Sequence, residues 1–256
     1  MFDLRGKRAL ITGGTRGLGK ATAMMLARNG VWVAMNYRRD DESARATLGE
    51  VSAIAPGATL HKADLEDDAQ VRAMVREAAS AMGAIDIFIA NAAATAFKPI
   101  LETKPHNIAR TFNLSVGGFV AAVQEVAKVM PDGGRIVMVS GIDSVRDCPG
   151  HGVLGAAKAA LESMMRAFAF ELGPRQITVN GVNFAYVETD SSRFYFGDDF
   201  EAKTARIRAR SALRRVATPD EVAAIICMLC MPEASYFTAQ TIMVDGGIAS
   251  ISPFEP

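Results

Sequence analysis

Apolar residues come in two rhythms along this chain. Short, nearly continuous apolar runs occupy 8–12, 31–37, 58–61, 84–90, 135–140, 176–182 and 240–244. Runs of that length without alternation suit strands buried on both faces. Between them lie stretches with helical spacing at 17–29, 41–55, 67–82, 104–130, 151–172 and 219–231. Gly30, Pro56-Gly57, Gly83, Pro131 and Gly173-Pro174 follow the first five. Each stops a helix, through a left-handed backbone or a missing N–H. Thr218 stands at the N-cap position of the last, with Pro219 in its first turn.

Strand and helix alternating at this interval make βαβ units, and right-handed crossovers close them into a parallel sheet covered on both sides. The pattern predicts one α/β domain over 1–256, a doubly wound parallel seven-stranded sheet with helices on both faces. Residues 184–217 break the rhythm. They are too long for an ordinary connection and lack a strand pattern, but carry Phe184, Tyr186, Phe194, Tyr195, Phe196 and Phe200. A substrate lid of short helices is expected there; the plainer alternative is an irregular segment packed on the core or on a partner subunit.

The turn after the first strand adds chemistry. Thr12-Gly13-Gly14-Thr15-Arg16-Gly17-Leu18-Gly19 opens a helix directly. Gly13 permits the tight turn, Gly17 lets a pyrophosphate approach the backbone, and Gly19 allows close helix–sheet packing. The helix N-terminus then faces the phosphates. In this context the turn reads as a Rossmann-type dinucleotide site. At the end of the second strand stand Asn36-Tyr37-Arg38-Arg39, with no carboxylate before Asp40. A carboxylate there would accept from a free ribose 2′-hydroxyl; guanidinium groups suit a 2′-phosphate instead. Arg38 and Arg39, with Arg16 from the glycine turn, therefore predict NADP(H).

Composition narrows the field further. The 256 residues are 50% apolar and 22% charged, as in ordinary globular chains. Lys+Arg and Asp+Glu both total 28, so no net field draws nucleic acid or an anionic membrane. No apolar run approaches the roughly 20 residues that span a bilayer, and the N-terminus has no signal-peptide pattern. Three cysteines make no disulfide framework, which suits a reducing, cytoplasmic setting. Cys227 and Cys230 lie in an apolar helix and read as core thiols. Cys148 precedes His151 and lies near the expected substrate site. His61 and His106 have no ligand spacing, and no metal is expected. Met24, Met25, Met164 and Met165 fall at core positions.

With these residues in view, the sequence resembles the short-chain dehydrogenase/reductase family over essentially its whole length. Thr12–Gly19 matches the family's TGxxxGxG. Ala63-Asp64-Leu65 is similar to its adenine-contacting segment, and Asn91-Ala92-Ala93 stands where it usually has Asn-Ala-Gly. Asn113 matches its active-site Asn, and Val244-Asp245-Gly246-Gly247 its C-terminal motif. The resemblance implies that Lys158 binds the nicotinamide ribose, that Asn113 keeps a water in the proton relay, and that Val187 and Thr189 meet the carboxamide. It also implies a homotetramer.

The family's proton-donating Tyr falls on Leu154 and its Ser on Gly141, flanked by Ser140 and Ser144. Leucine and glycine cannot donate that proton. The family's Pro-Gly after the sixth strand is replaced by Phe184-Ala185. Enoyl-acyl-carrier-protein reductases of the family place their Tyr seven residues before the Lys, which here is His151. Imidazole titrates near neutrality and suits proton donation. Lys158 is expected to disfavour the imidazolium; Asp143 and Asp147 in the preceding loop either orient or charge His151 or are solvated loop carboxylates, the last being the expected reading. The expected activity is NADP(H)-dependent reduction of a conjugated C=C, an enoyl thioester bound to CoA or carrier protein or an enone, or of a related carbonyl. The alternatives are a cyclase, isomerase or dehydratase with structural NADP(H), or a nucleotide-binding regulator.

Overall fold

The computed structural model describes residues 3–189, 192–193 and 196–250. Seven strands, β1 (Arg8–Ile11), β2 (Trp32–Tyr37), β3 (Thr59–Lys62), β4 (Ile87–Ala90), β5 (Arg135–Gly141), β6 (Thr178–Phe184) and β7 (Thr241–Val244), form one parallel sheet. Their order is β3-β2-β1-β4-β5-β6-β7. The chain winds outward to β3, then returns to β4 on the other side of β1. This switch point opens a crevice at the carboxyl ends of the strands, where open α/β sheets bind ligands.

Alternation along each strand feeds two cores. Ala9, Ile11, Ile87, Ile89, Val137 and Val139 face α1 (Gly17–Arg28), α2 (Asp41–Ser52) and α8 (Pro219–Leu229). Leu10, Phe88, Ile136 and Met138 face α3 (Asp68–Met82), α5 (Gly118–Val129) and α6 (Gly152–Leu172). Both faces being covered, neither shows polar alternation, so these strands read as apolar runs.

The structure differs from the sequence expectation in three respects. The helix expected over 104–130 is α4 (Pro105–Phe112), a π-helical turn (Asn113–Gly117) and then α5. Gly118 packs so closely that a Cβ there would sit 2.7 Å from the Leu65 carbonyl oxygen. A π-turn adds one residue without breaking the apolar stripe, so periodicity does not reveal it. Two helices end early, at Ser52 and Leu229. Strand β6 runs on to Phe184.

Within 184–217 the chain forms a bridge between Val187 and Ala217 and an eleven-residue helix, α7 (Phe200–Arg210). Tyr186 stacks on Phe196 at 5.4 Å, and Phe196 meets the buried Phe200 at 6.3 Å. These aromatics pack on one another; Phe194 and Tyr195 lie outside the described residues. Cys227 and Cys230 are buried in α8, and burial pushes the Cys227 thiol up to about 12. No helix among the described residues is long and apolar enough to cross a membrane. No group of three or more His, Cys, Asp or Glu among them could hold a metal ion.

Candidate active site

The nucleotide half is built mainly of backbone. Gly13 and Gly17 take φ of +61° and +51°, a region open to glycine. A Cβ at Gly19 would lie 2.0 Å from the Gly13 carbonyl oxygen, so α1 can approach the turn only without one. Asn91 ties the turn down: its Nδ2 donates to the Thr12 and Gly13 carbonyls, both at 3.1 Å. The Asn91 and Ala92 N–H groups donate to Thr12 Oγ1. Thr15 is buried and its carbonyl accepts from Thr47 Oγ1 at 2.8 Å; Leu18 is buried beside it. Asn36, unflagged by the sequence reading, accepts the Gly13 N–H and donates to the carbonyls of Tyr37, His61 and Ala63.

Helices α2, α3 and α8 have side-chain caps from Asp40, Asp67 and Thr218. Helix α1 has none and carries no acidic residue in its first turn. Its positive end and glycine cradle fit a dinucleotide pyrophosphate. Thr189 closes the cradle, its Cγ2 lying 3.5 Å from where a Gly17 Cβ would be; Val187 is buried beneath it in the segment.

Arg16 and Arg39 are exposed. The Ser43 backbone N–H, its hydroxyl and, more weakly, the Arg16 charge hold the Asp40 carboxyl below its ordinary range. Arg38 pairs with Glu66 at 3.0 Å and approaches Asp64 at 3.6 Å. Glu66 also binds Arg110 of α4 at 2.9 Å. The Tyr37 hydroxyl donates to Asp41 at 2.8 Å. Leu65 is buried against α5, and Ala93 is exposed.

The substrate half is built of side chains. Lys158 is buried in α6, and its Nζ donates to the Val139 carbonyl at 2.6 Å. Burial lowers its pKa from 10.5 to about 8, against the opposing pull of the Asp143 and Glu162 charges. Ser140 and Ser144 both donate to Glu162 Oε1, at 2.5 and 2.7 Å. Asn183 Nδ2 donates to Ser144 Oγ and to the same carboxylate oxygen. The two hydroxyls are thus tied to Glu162, which is one helical turn beyond Lys158. Asn113 opens the π-turn and is exposed.

His151 sits at the N-cap of α6 and makes no side-chain cap bond. Its Nδ1 lies 3.1 Å from Asp143 Oδ2. The Asp143 side chain is 7% exposed, so it is no solvated loop carboxylate. The charge that His151 touches is this one, where the sequence pointed to Lys158. Phe97, which no pattern singled out, lies 4.7 Å from the imidazole centroid. Leu154 is half-buried one turn into the helix.

Comparison with known proteins places the fold in a family. The family model described as Enoyl-(Acyl carrier protein) reductase matches residues 13–249. A 1-cyclohexenylcarbonyl-CoA reductase of Streptomyces collinus is 38% identical over 245 residues, 96% of this chain and 88% of that protein. A short-chain dehydrogenase of Burkholderia cenocepacia, solved in complex with NADP, superposes with a TM-score of 0.90 at 33% identity, covering 96% of this chain and 99% of that one. A blue fluorescent protein from a metagenomic library, solved with NADPH, gives 0.90 at 31% identity, covering 97% of this chain and 100% of that one. Sheet order, glycine turn and family match place this chain in the short-chain dehydrogenase/reductase family of oxidoreductases, on its enoyl-(acyl carrier protein) reductase model.

Proposed function

We propose that this chain is an NADPH-dependent reductase that saturates the C=C of a conjugated acyl thioester, carried on CoA or a carrier protein, with His151 supplying the proton. The observation that carries the reading is the imidazole held at the head of α6, seven residues before the buried Lys158. The open cradle at α1, with Arg16, Arg38 and Arg39 nearby, supports NADPH; the two relatives solved with NADP or NADPH point the same way. The activity printed for the Streptomyces relative supports the thioester.

Bound nicotinamide supplies a hydride. Lys158 would hold its ribose, and Val187 and Thr189 would meet the carboxamide. Addition of hydride beyond the carbonyl leaves an enolate, which hydrogen bonding stabilises until a proton arrives. Conjugate reduction therefore depends less on a strong acid than carbonyl reduction does, which suits a site with Leu154 and Gly141 at the usual Tyr and Ser positions. Phe97, Ile100 and Leu101 are exposed apolar residues on the His151 side, and suit an apolar acyl group. The reading extends to a homotetramer, since Met164 and Phe170 stand exposed on α6, Phe170 at 87%.

The test follows NADPH absorbance with a panel of enoyl thioesters, enones and isolated ketones. Oxidation with the conjugated thioesters is expected. Oxidation with isolated ketones alone, or tight NADPH binding without oxidation by any member, would overturn the reading.

A further inference from the structure

We propose that Asp143 is the positioning residue of His151, and that Gly141 and Gly155 are small because the Asp143 turn occupies their side-chain space. This rests on the reading of His151 as proton donor and adds the device that aims it. Asp143 lies in the single 3-10 turn Ile142–Ser144 after β5. One carboxylate oxygen, Oδ2, meets His151 Nδ1 at 3.1 Å. The other, Oδ1, lies 2.5 Å from where a Gly141 Cβ would stand. A Gly155 Cβ would stand 2.3 Å from the Asp143 carbonyl oxygen. Side chains do not approach that closely, so a methyl at 141 must displace the Asp143 carboxylate itself, and a methyl at 155 must move the turn that carries it.

The ring is held on further sides. The His151 N–H donates to the Cys148 carbonyl at 2.9 Å, and its own carbonyl accepts from the Gly155 N–H at 2.7 Å. Phe97 lies against the ring at an interplanar angle of 44°. The carboxylate can only accept, so the bond keeps a hydrogen on Nδ1. In the neutral ring the second nitrogen, Nε2, is then the base. In the charged ring Nε2–H is the proton to be given. As it is given, the Nε2–H bond breaks and a bond forms to the enolate generated by nicotinamide hydride. The neutral ring keeps its Nδ1–H on Asp143, and water restores the proton to Nε2. The serine expected at 141 would put its Cβ against Asp143 Oδ1. The sequence positions 141, 143, 151 and 155 therefore form one spatial set.

The test is Asp143→Asn in the full chain with NADPH bound, read by 15N NMR of the imidazole and by steady-state kinetics. The chain has three histidines, and His151→Phe identifies the relevant signals. An amide can donate to Nδ1 and reverse the tautomer. The expected result is a neutral ring carrying hydrogen on Nε2, with kcat down about 10²-fold, while substrate KM and NADPH Kd stay within about twofold. Gly141→Ala supplies a second arm should Asp143→Asn fold poorly. It leaves both titrating groups in place and is expected to lower kcat with the same unchanged KM and Kd. An unchanged tautomer with unchanged kcat in Asp143→Asn overturns the inference. If that variant is fully active while His151→Phe is dead, Asp143 fails and the reductase reading stands. If no member of the substrate panel is reduced, the reading fails, and the tautomer still decides the dyad.

Discussion

The two halves of the site are built from different materials. Around β1, α1 and β4, the cofactor cradle is backbone, shaped by glycines and strapped by the amide side chains of Asn91 and Asn36. Around β5 and the head of α6, the candidate reacting groups are side chains held by other side chains: His151 by Asp143, and Ser140 and Ser144 by Glu162. Backbone geometry tolerates few sequences, and so the first half shows itself as a motif. A side-chain network can be built from many residue combinations, so the second half leaves no fixed motif.

That contrast can be broken at its firmest point. Gly19→Ala puts a methyl 2.0 Å from the Gly13 oxygen. It is expected to abolish NADPH binding in calorimetry and to lower stability by about 1–3 kcal/mol or more. An unaffected Kd would show that the backbone does not set the cradle.

Lys158 sharpens it from the other side. Folding lowers its pKa from 10.5 to about 8. The cofactor-free chain therefore carries the full cost of the buried charge below pH 8, and sheds it as pH rises to 10.5. That cost is on the order of 3 kcal/mol, offset by about 1 kcal/mol from the bond to Val139. Lys158→Met is expected to melt higher than the parent at pH 7, with the gap closing across that window, and to lose turnover. A lower melting temperature at pH 7 would show that the ammonium is well solvated in its site.

A smaller effect tests cofactor choice. Replacing Arg38 and Arg39 together by Glu is expected to weaken NADPH by about tenfold to a hundredfold and NADH far less. Equal loss for both would remove the guanidinium groups from 2′-phosphate recognition.

The same contrast explains what the sequence disclosed. Short apolar runs, several of them nearly continuous, marked the seven strands, and Gly13, Gly17 and Gly19 marked the cradle. The π-turn at Asn113–Gly117 left no trace, because Leu114, Phe119 and Val123 keep the apolar stripe going across it. The sequence offers both Asp143 and Asp147 as carboxylates that can orient His151 or stay solvated, and only the fold shows that Asp143 meets the ring. The pair of small residues at 141 and 155 was the available signal that something fills the space between them. Glu162 was missed for a similar reason, as one more charge on a long helix. Its position four residues after Lys158 put it on the same face and near the C-terminal end of β5. Arg38 reads in the sequence as a 2′-phosphate ligand beside Arg39, and its pairing with Glu66 needs the fold to bring residues 28 apart together. Phe97 lies in a stretch without periodicity, so only the structure places it on the imidazole.

The central claim is that an imidazole has taken over proton delivery in an otherwise intact cofactor site. The direct measurement is turnover of a conjugated thioester by His151→Phe, with NADPH Kd determined on the same sample. A fall in kcat of about 10²–10⁴-fold with Kd unchanged is the predicted result. Full turnover at unchanged Kd would contradict it and take His151 out of the mechanism.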